Sequence, residues 1–207
     1  RGLARPARAV RDLHGVRGVL ILVLALALPA GCASVSYLGQ AAWGQARVLA
    51  ARRPLECVIA DPRTQPELRT QLELVRDLRA FAVSDLAMHD ASGFEDYAAL
   101  GRDFAVWNVV ATPEFSLRPL GWCYPVAGCV SYRGYFGRVA AERQAASLAR
   151  QGLETHVYGV AAYSTLGWFD DPVLDTWVRR REGALAALVF HELAHQLVYA
   201  PDDTAFS

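Results

Sequence analysis

At 207 residues, with 53% hydrophobic and 20% charged side chains, the chain suits one domain with a sizeable core and is far from the composition of a disordered segment. Its 21 basic and 21 acidic residues cancel, which argues against nucleic acid as a partner, because gripping a phosphate backbone takes a basic face. Every basic residue is Arg, so a lysine Schiff base is excluded from the chemistry of these residues.

The charge is unevenly placed. Residues 1–18 carry Arg1, Arg5, Arg8, Arg11 and Arg17 against Asp12 alone, and the apolar run Val19–Leu28 follows, ending in Pro29-Ala30-Gly31-Cys32. A basic start, a short apolar stretch and small residues at its end predict a secretory signal peptide over residues 1–31. The run is too short to cross roughly 30 Å of hydrocarbon as a helix. Leu28-Pro29-Ala30-Gly31-Cys32 resembles the lipobox of bacterial lipoproteins, with Pro29 where that pattern usually has Leu. The resemblance implies acylation of Cys32, which would anchor residues 32–207 at the periplasmic face of a bacterial membrane; a soluble periplasmic protein is the alternative. Residues 1–31 hold five Arg and one Asp, a net of +4, so the remainder has 16 Arg against 20 acids, a net of −4.

Leu38, Ala42, Ala46 and Leu49 recur near helical spacing and predict a helix over 36–51, closed by Arg52-Arg53-Pro54. Thr64-Gln65-Pro66-Glu67 has the form of a capping box, and Leu68, Leu72, Val75, Leu78 and Phe81 or Ala82 give one face of the helix that follows. Residues 90–103 read as a loop or a short irregular element. Strands are expected over 104–110, stopped by Pro113, over 130–136, broken by Gly134, and over 155–163. A helix over 140–151 stops at Gly152, and the last helix covers 182–199. Strands and helices without a regular βαβ alternation predict an α+β fold.

In an oxidising compartment, Cys123 and Cys129 are a candidate disulfide closing a small loop through Pro125 and Gly128; two buried thiols are the alternative. Cys57 has no evident partner and reads as a small core residue.

The last helix carries the chemistry. Within it, His191-Glu192-Leu193-Ala194-His195 is H-E-x-x-H. Two His four residues apart share a helical face, so both imidazoles can reach one Zn²⁺. Glu192 beside them is placed to deprotonate a water that zinc polarises, as general base, and to return the proton to the leaving amine. The alternative, a polar patch on a surface helix, is disfavoured because the helix is strongly apolar and two His and a Glu are costly to bury there without a partner. A third protein ligand is needed. Val198 and Pro201 stand where the metzincin pattern has Gly and His, which excludes that class, and in the gluzincin arrangement the third ligand is a Glu on a later helix. Asp202 and Asp203 read more simply as a turn or helix start, and a third ligand from upstream is the remaining alternative.

Phe190–Gln196 with Tyr199 and Asp203–Phe206 resembles the bacterial putative aminopeptidase family, lipoproteins of gluzincin-like zinc metallopeptidase type. So do Glu114–Pro119, Trp122–Phe136 and Tyr163–Val173, and the likeness runs from about Tyr37 to Ser207. It implies a zincin-like metallopeptidase domain, a zinc cofactor held by His191 and His195, Glu192 in catalysis, and a third ligand in a Glu of the phrase that follows Thr-x-Phe-Asn-Glu. The sequence stops at Ser207, before that phrase, so an incomplete domain is expected, and an inactive truncated fragment that holds zinc weakly is one alternative.

Two upstream regions bear on the substrate. Residues Gly159–Leu166 would be an edge strand along which a peptide lies, with Tyr163, Ser164 and Trp168 lining the cleft. Arg118, Tyr132 and Arg133 are candidates for binding a carboxylate or oxyanion, and Glu114, Asp170 and Asp171 for pairing with a substrate's ammonium. The expectation is a zinc-dependent peptidase with peptide substrates and a lipid-anchored membrane location. The alternative from another class is a non-catalytic envelope lipoprotein that binds a peptide or protein partner.

Overall fold

The computed structural model describes residues 35–88, 93–124, 128–165 and 169–197, except for the side chain at 196. The predicted signal segment, Cys32, Trp168 and everything after Leu197 lie outside the described residues. By contacts the chain divides into two compact units, Arg1–Trp43 and Gly44–Ser207. All that follows on packing and chemistry concerns the second.

Residues 35–50 form helix α1. Next come β1 (Arg52–Pro54), α2 (Leu55–Ala60), α3 (Pro66–Ser84), β2 (Asp96–Ala98) and β3 (Val106–Pro113). After these lie β4 (Trp122–Tyr124), β5 (Gly128–Val130), β6 (Arg133–Tyr135), α4 (Arg138–Ala149), β7 (Leu153–Val160), β8 (Val173–Leu174) and α5 (Glu182–Leu197). The fold is α+β: five helices with small sheets among the described residues.

The strands make three sheets. In the order β1-β2-β8, β2 runs antiparallel to β1 and parallel to β8, with Tyr97 opposite Val173. In the order β6-β3-β7, the long pair is antiparallel, from Val106 opposite Val160 to Pro113 opposite Leu153. The third sheet is the hairpin β4–β5, where Cys123 faces Cys129 and the two are joined by a disulfide.

Two layers of apolar packing result. Helix α4 lies against β3 and β7 and buries Ala141, Ala145 and Leu148 beside Val109 and Ala111. The main core joins the first sheet to α2, α3 and α5 through Leu55, Val58, Leu72, Val75, Trp177, Val178, Leu185, Val189 and Leu193. Removing this apolar surface from water, at about 25 cal/mol per Å², is what holds α5 in place.

Several expectations need correcting. The Thr64 hydroxyl does not cap α3: it donates to the Val58 carbonyl at 2.6 Å, Gln65 occupies the cap, and Pro66 opens the helix without a side-chain bond. Tertiary bonding to α2 has outcompeted the local box. Cys57 is exposed, not core, because α2 turns its neighbours Leu55 and Val58 inward. The loop expected over 90–103 contains β2, and the strand expected over 130–136 divides between β5 and β6, with Gly134 paired to Asn108. The strand expected over 155–163 runs Leu153–Val160. Short elements such as β1, β2, β8 and α2 offer too few residues for a period to show.

Candidate active site

Helix α5 is rich in Ala and Leu, which favours helix, and its stripe Leu185, Val189 and Leu193 is wholly buried at spacing i, i+4, i+8. Leu185 N–H already bonds the Arg181 carbonyl at 2.9 Å, so the helix is wound from its first turn. That stripe fixes its rotation. His195, about 200° round the helix from Leu193, is nevertheless buried at 7% exposure, while Glu192 is half-buried and His191 exposed.

The two imidazoles meet. Their Nε2 atoms lie 3.0 Å apart, with rings 4.5 Å between centroids and nearly perpendicular. Two nitrogens on one tetrahedral zinc, each bonded at about 2.0–2.1 Å, would be separated by about 3.3 Å. The donor set therefore fits half of a zinc site with little movement. Burial, and then His191, lower the His195 pKa, which favours the neutral imidazole that a metal requires. Among the described residues, no group of three or more His, Cys, Asp or Glu side chains converges on a metal position. A third ligand is not among them.

The Glu192 carboxyl is pushed up to about 7, mainly by burial and then by the negative charge of Asp171. A carboxyl raised to that range is a competent base near neutral pH. Asp171 itself is buried, at 8% exposure. It accepts bonds from Thr165 N–H at 2.6 Å and from Thr165 Oγ1 at 2.8 Å, and burial still raises its pKa. Close by is Tyr163, whose hydroxyl donates to Gln45 at 2.7 Å; burial and then Asp171 raise its pKa. The candidate site is thus α5, with Tyr163–Thr165 and Asp171 as the other described residues whose electrostatics bear on it.

The family model described as "Putative aminopeptidase" matches residues 36–207. The chain belongs to this family. No curated protein matches, and no solved structure does.

Within this family member, the structure separates the remaining candidates. Glu114 and Arg118 are exposed beyond the end of β3, at the Leu153 end of the β3–β7 pair, whereas Tyr163 and Ser164 follow its Val160 end. Seven strand steps, about 23 Å, separate these ends. Asp170 is exposed, and its carbonyl accepts a bond from Arg52 at 3.1 Å. Arg133 pairs along β6 with Val109 in the middle of the sheet. The segment expected as an edge strand, Gly159–Leu166, is strand through Val160, where β7 is one edge of its sheet; residues 161–165 are not strand, and Leu166 lies outside the described residues. A cavity of about 340 Å³ lies elsewhere, between α2, α3 and Phe94, and includes none of the residues of the α5 site.

Sequence reasoning did not find Thr165, the main partner of Asp171, nor choose Asp171 over its neighbours. The available signal was Asp-Asp-Pro just before a buried apolar pair, Val173-Leu174, which places the second Asp at the entry of a buried strand.

Proposed function

We propose that this aminopeptidase-family protein is a zinc-dependent peptidase that removes residues from the amino end of peptides. The observation that carries the reading is the meeting of the His191 and His195 Nε2 atoms 3.0 Å apart on one helix, with Glu192 beside them. His191 and His195 would hold the zinc, with a third ligand from outside the described residues. When bound, the ion supplies Lewis acidity to the scissile carbonyl and to the attacking water.

The chain's own residues do the rest. Glu192, as carboxylate, takes a proton from the water whose oxygen attacks the scissile carbonyl carbon. It then hands that proton to the peptide nitrogen as the C–N bond breaks, releasing a free carboxylate and a free amine. Burial makes Glu192 basic enough for the first transfer and acidic enough for the second near pH 7. The apolar stripe of α5 holds the three side chains in register, so little reorganisation is needed at the moment of reaction. We further propose that Cys32 is acylated and that the domain works at the periplasmic face of a membrane. Among the described residues, no helix is long and apolar enough to cross one.

Glu192→Gln tests the reading. Hydrolysis of amino-acid p-nitroanilides by zinc-loaded protein should fall about 10²–10⁴-fold while zinc content stays near that of the unmodified protein. Undiminished turnover in the variant, or no zinc retained by the parent, defeats it.

A further inference from the structure

The tip of the connection between β3 and β4 is apolar and stands in water. Phe115 is 96% exposed and Leu117 100%, more than any other large apolar residue among the described ones. Pro113, Pro119 and Leu120 beside them are exposed too. Apolar residues exposed singly need no explanation, but two that touch almost nothing, two positions apart on one loop, mark an interaction site.

Hydrogen bonds fix the tip. Ser116 N–H donates to the Pro113 carbonyl at 3.1 Å and closes a turn, and Arg118 N–H donates to the Ser116 hydroxyl at 3.1 Å. Leu120 N–H then returns to the Ala111 carbonyl of β3 at 2.7 Å. Within the turn Phe115 has φ +59°, a left-handed conformation that Gly adopts without strain and a bulky residue rarely does. Neither the turn nor the core requires an aromatic ring there. Stability alone would select Gly at 115 and a polar residue at 117.

Shape and charge select the partner. A protein surface would need a matching pocket for each protruding side chain, whereas acyl chains close round any apolar group that enters them. The tip is electrically balanced. Glu114 and Arg118 on it cancel, as do Arg150 and Glu154 about the α4–β7 turn, whose Leu153 faces Pro113. Residues 32–207 together hold 16 Arg against 20 acids, so an anionic lipid surface repels the domain least at such a neutral place. The Arg118 guanidinium has no partner among the described residues. At headgroup level it can donate to a phosphate while Phe115 and Leu117 go deeper.

We propose that the tip, residues 113–120, inserts Phe115 and Leu117 into the headgroup–acyl boundary of a lipid surface, a second foothold besides an acylated Cys32; this rests on the membrane-anchored reading above. Two side chains alone hold a domain to a bilayer only weakly, but a chain already tethered there meets the surface at high effective concentration. The tip is at the Leu153 end of the β3–β7 pair, and Tyr163 of the candidate site follows the Val160 end. Seven strand steps, about 23 Å, lie between. Seating on the tip holds the Tyr163 end off the lipid and open to peptides.

Phe115→Trp places a fluorescent reporter at the tip, and Leu117→Trp a second. Protein expressed from the full sequence is isolated from the membranes of an exporting bacterial host. It is reconstituted in vesicles of phosphatidylethanolamine and phosphatidylglycerol, with or without bromine on the acyl chains. The emission that each variant adds to the parent should shift to the blue and be quenched by roughly half or more in brominated vesicles, as burial about 5–10 Å into the boundary requires. Val139→Trp, at a position 61% exposed at the far end of α4, should add emission that is neither shifted nor quenched. Added emission at 115 and 117 that bromine leaves unchanged, or quenches no more than at 139, overturns the proposal. A blue shift that appears without vesicles and grows with protein concentration overturns it too, because the tip would then face a second copy of the chain. Intact mass of the same preparation reads the acylation of Cys32 separately: absent acyl chains defeat the anchored reading, and the quenching still decides the tip.

Discussion

Helices α3 and α5 pack against each other and feed the same core, yet they treat their polar residues in opposite ways. Helix α3 turns Leu72, Val75 and Ala82 inward and gives its charges partners: Arg76 pairs with Asp77 at 2.9 Å, half-buried Arg79 with Glu95, and half-buried Arg69 donates to the Asp61 carbonyl at 3.1 Å. Helix α5 has only Glu182, His191, Glu192, His195 and Gln196 as polar residues, and it buries His195 and half-buries Glu192. The first arrangement is what stability alone would select. The second costs stability, because a desolvated carboxyl without a counter-ion is destabilising. The contrast marks α5 as the helix whose polar residues are kept for what they bind.

The largest expected effect tests that contrast directly. His191→Ala and His195→Ala should each weaken zinc binding by more than about 100-fold, beyond the 10–100-fold typical of losing an outer partner of a metal ligand. Leu72→Ala on α3 should leave zinc affinity near the parent value, although loss of its wholly buried side chain costs about 2–5 kcal/mol of stability. Competition against a chelating dye of known affinity reads the first, and urea unfolding reads the second. If both helices respond alike in the zinc assay, α5 is no more a binding helix than α3.

How much of this was legible beforehand follows from the same two helices. Both show a sustained apolar period, and the extent of α3 and the start of α5 were readable to within about two residues because a period repeated over four turns leaves little freedom. His191, Glu192 and His195 were visible because their spacing is local. Asp171 could not be told from Glu114 and Asp170, because what distinguishes it, its burial and its bonds to Thr165 and Phe94, is set by tertiary structure. The Thr64 box failed for a related reason: the Thr64 hydroxyl is turned to donate to the Val58 carbonyl and does not accept from the N–H groups of the helix start. Local grammar is overridden wherever a distant partner offers the stronger bond.

The next effect is on pH. Burial, then Asp171, lifts Glu192 from its ordinary 4.5 to about 7 in the metal-free protein. Between those values the folded state binds a proton that the unfolded chain releases, so stability falls as pH rises through this window and the full cost is present above it. A shift of that size corresponds to at most about 3 kcal/mol, and the partial exposure of Glu192 brings the expected cost to roughly 1–2 kcal/mol. Glu192→Gln should flatten part of the slope and make the metal-free protein more stable than its parent at pH 8, as read from urea midpoints in EDTA. Asp171, also raised, leaves a residual slope of the same sign. A variant less stable than its parent at pH 8 would mean that Glu192 is a structural residue.

The smallest effect completes the comparison from the α3 side. The Arg76 and Asp77 side chains are 43% and 66% exposed, so water and salt already screen the pair, and holding two flexible side chains together costs entropy. Arg76→Ala should therefore move neither the urea midpoint nor the zinc affinity measurably, at low or at physiological salt. Alanine is also the better helix former, which offsets what little the pair contributes. The informative result is the difference between two substitutions that each remove one charge from the main core's helices. At Arg76 nothing is gained or lost, because that charge was solvated throughout. At Glu192 stability rises while activity collapses, because that charge was held out of water for use. An Arg76→Ala variant that lost stability as a core truncation does would show that α3 also relies on its charges, and the distinction between the two helices would fail.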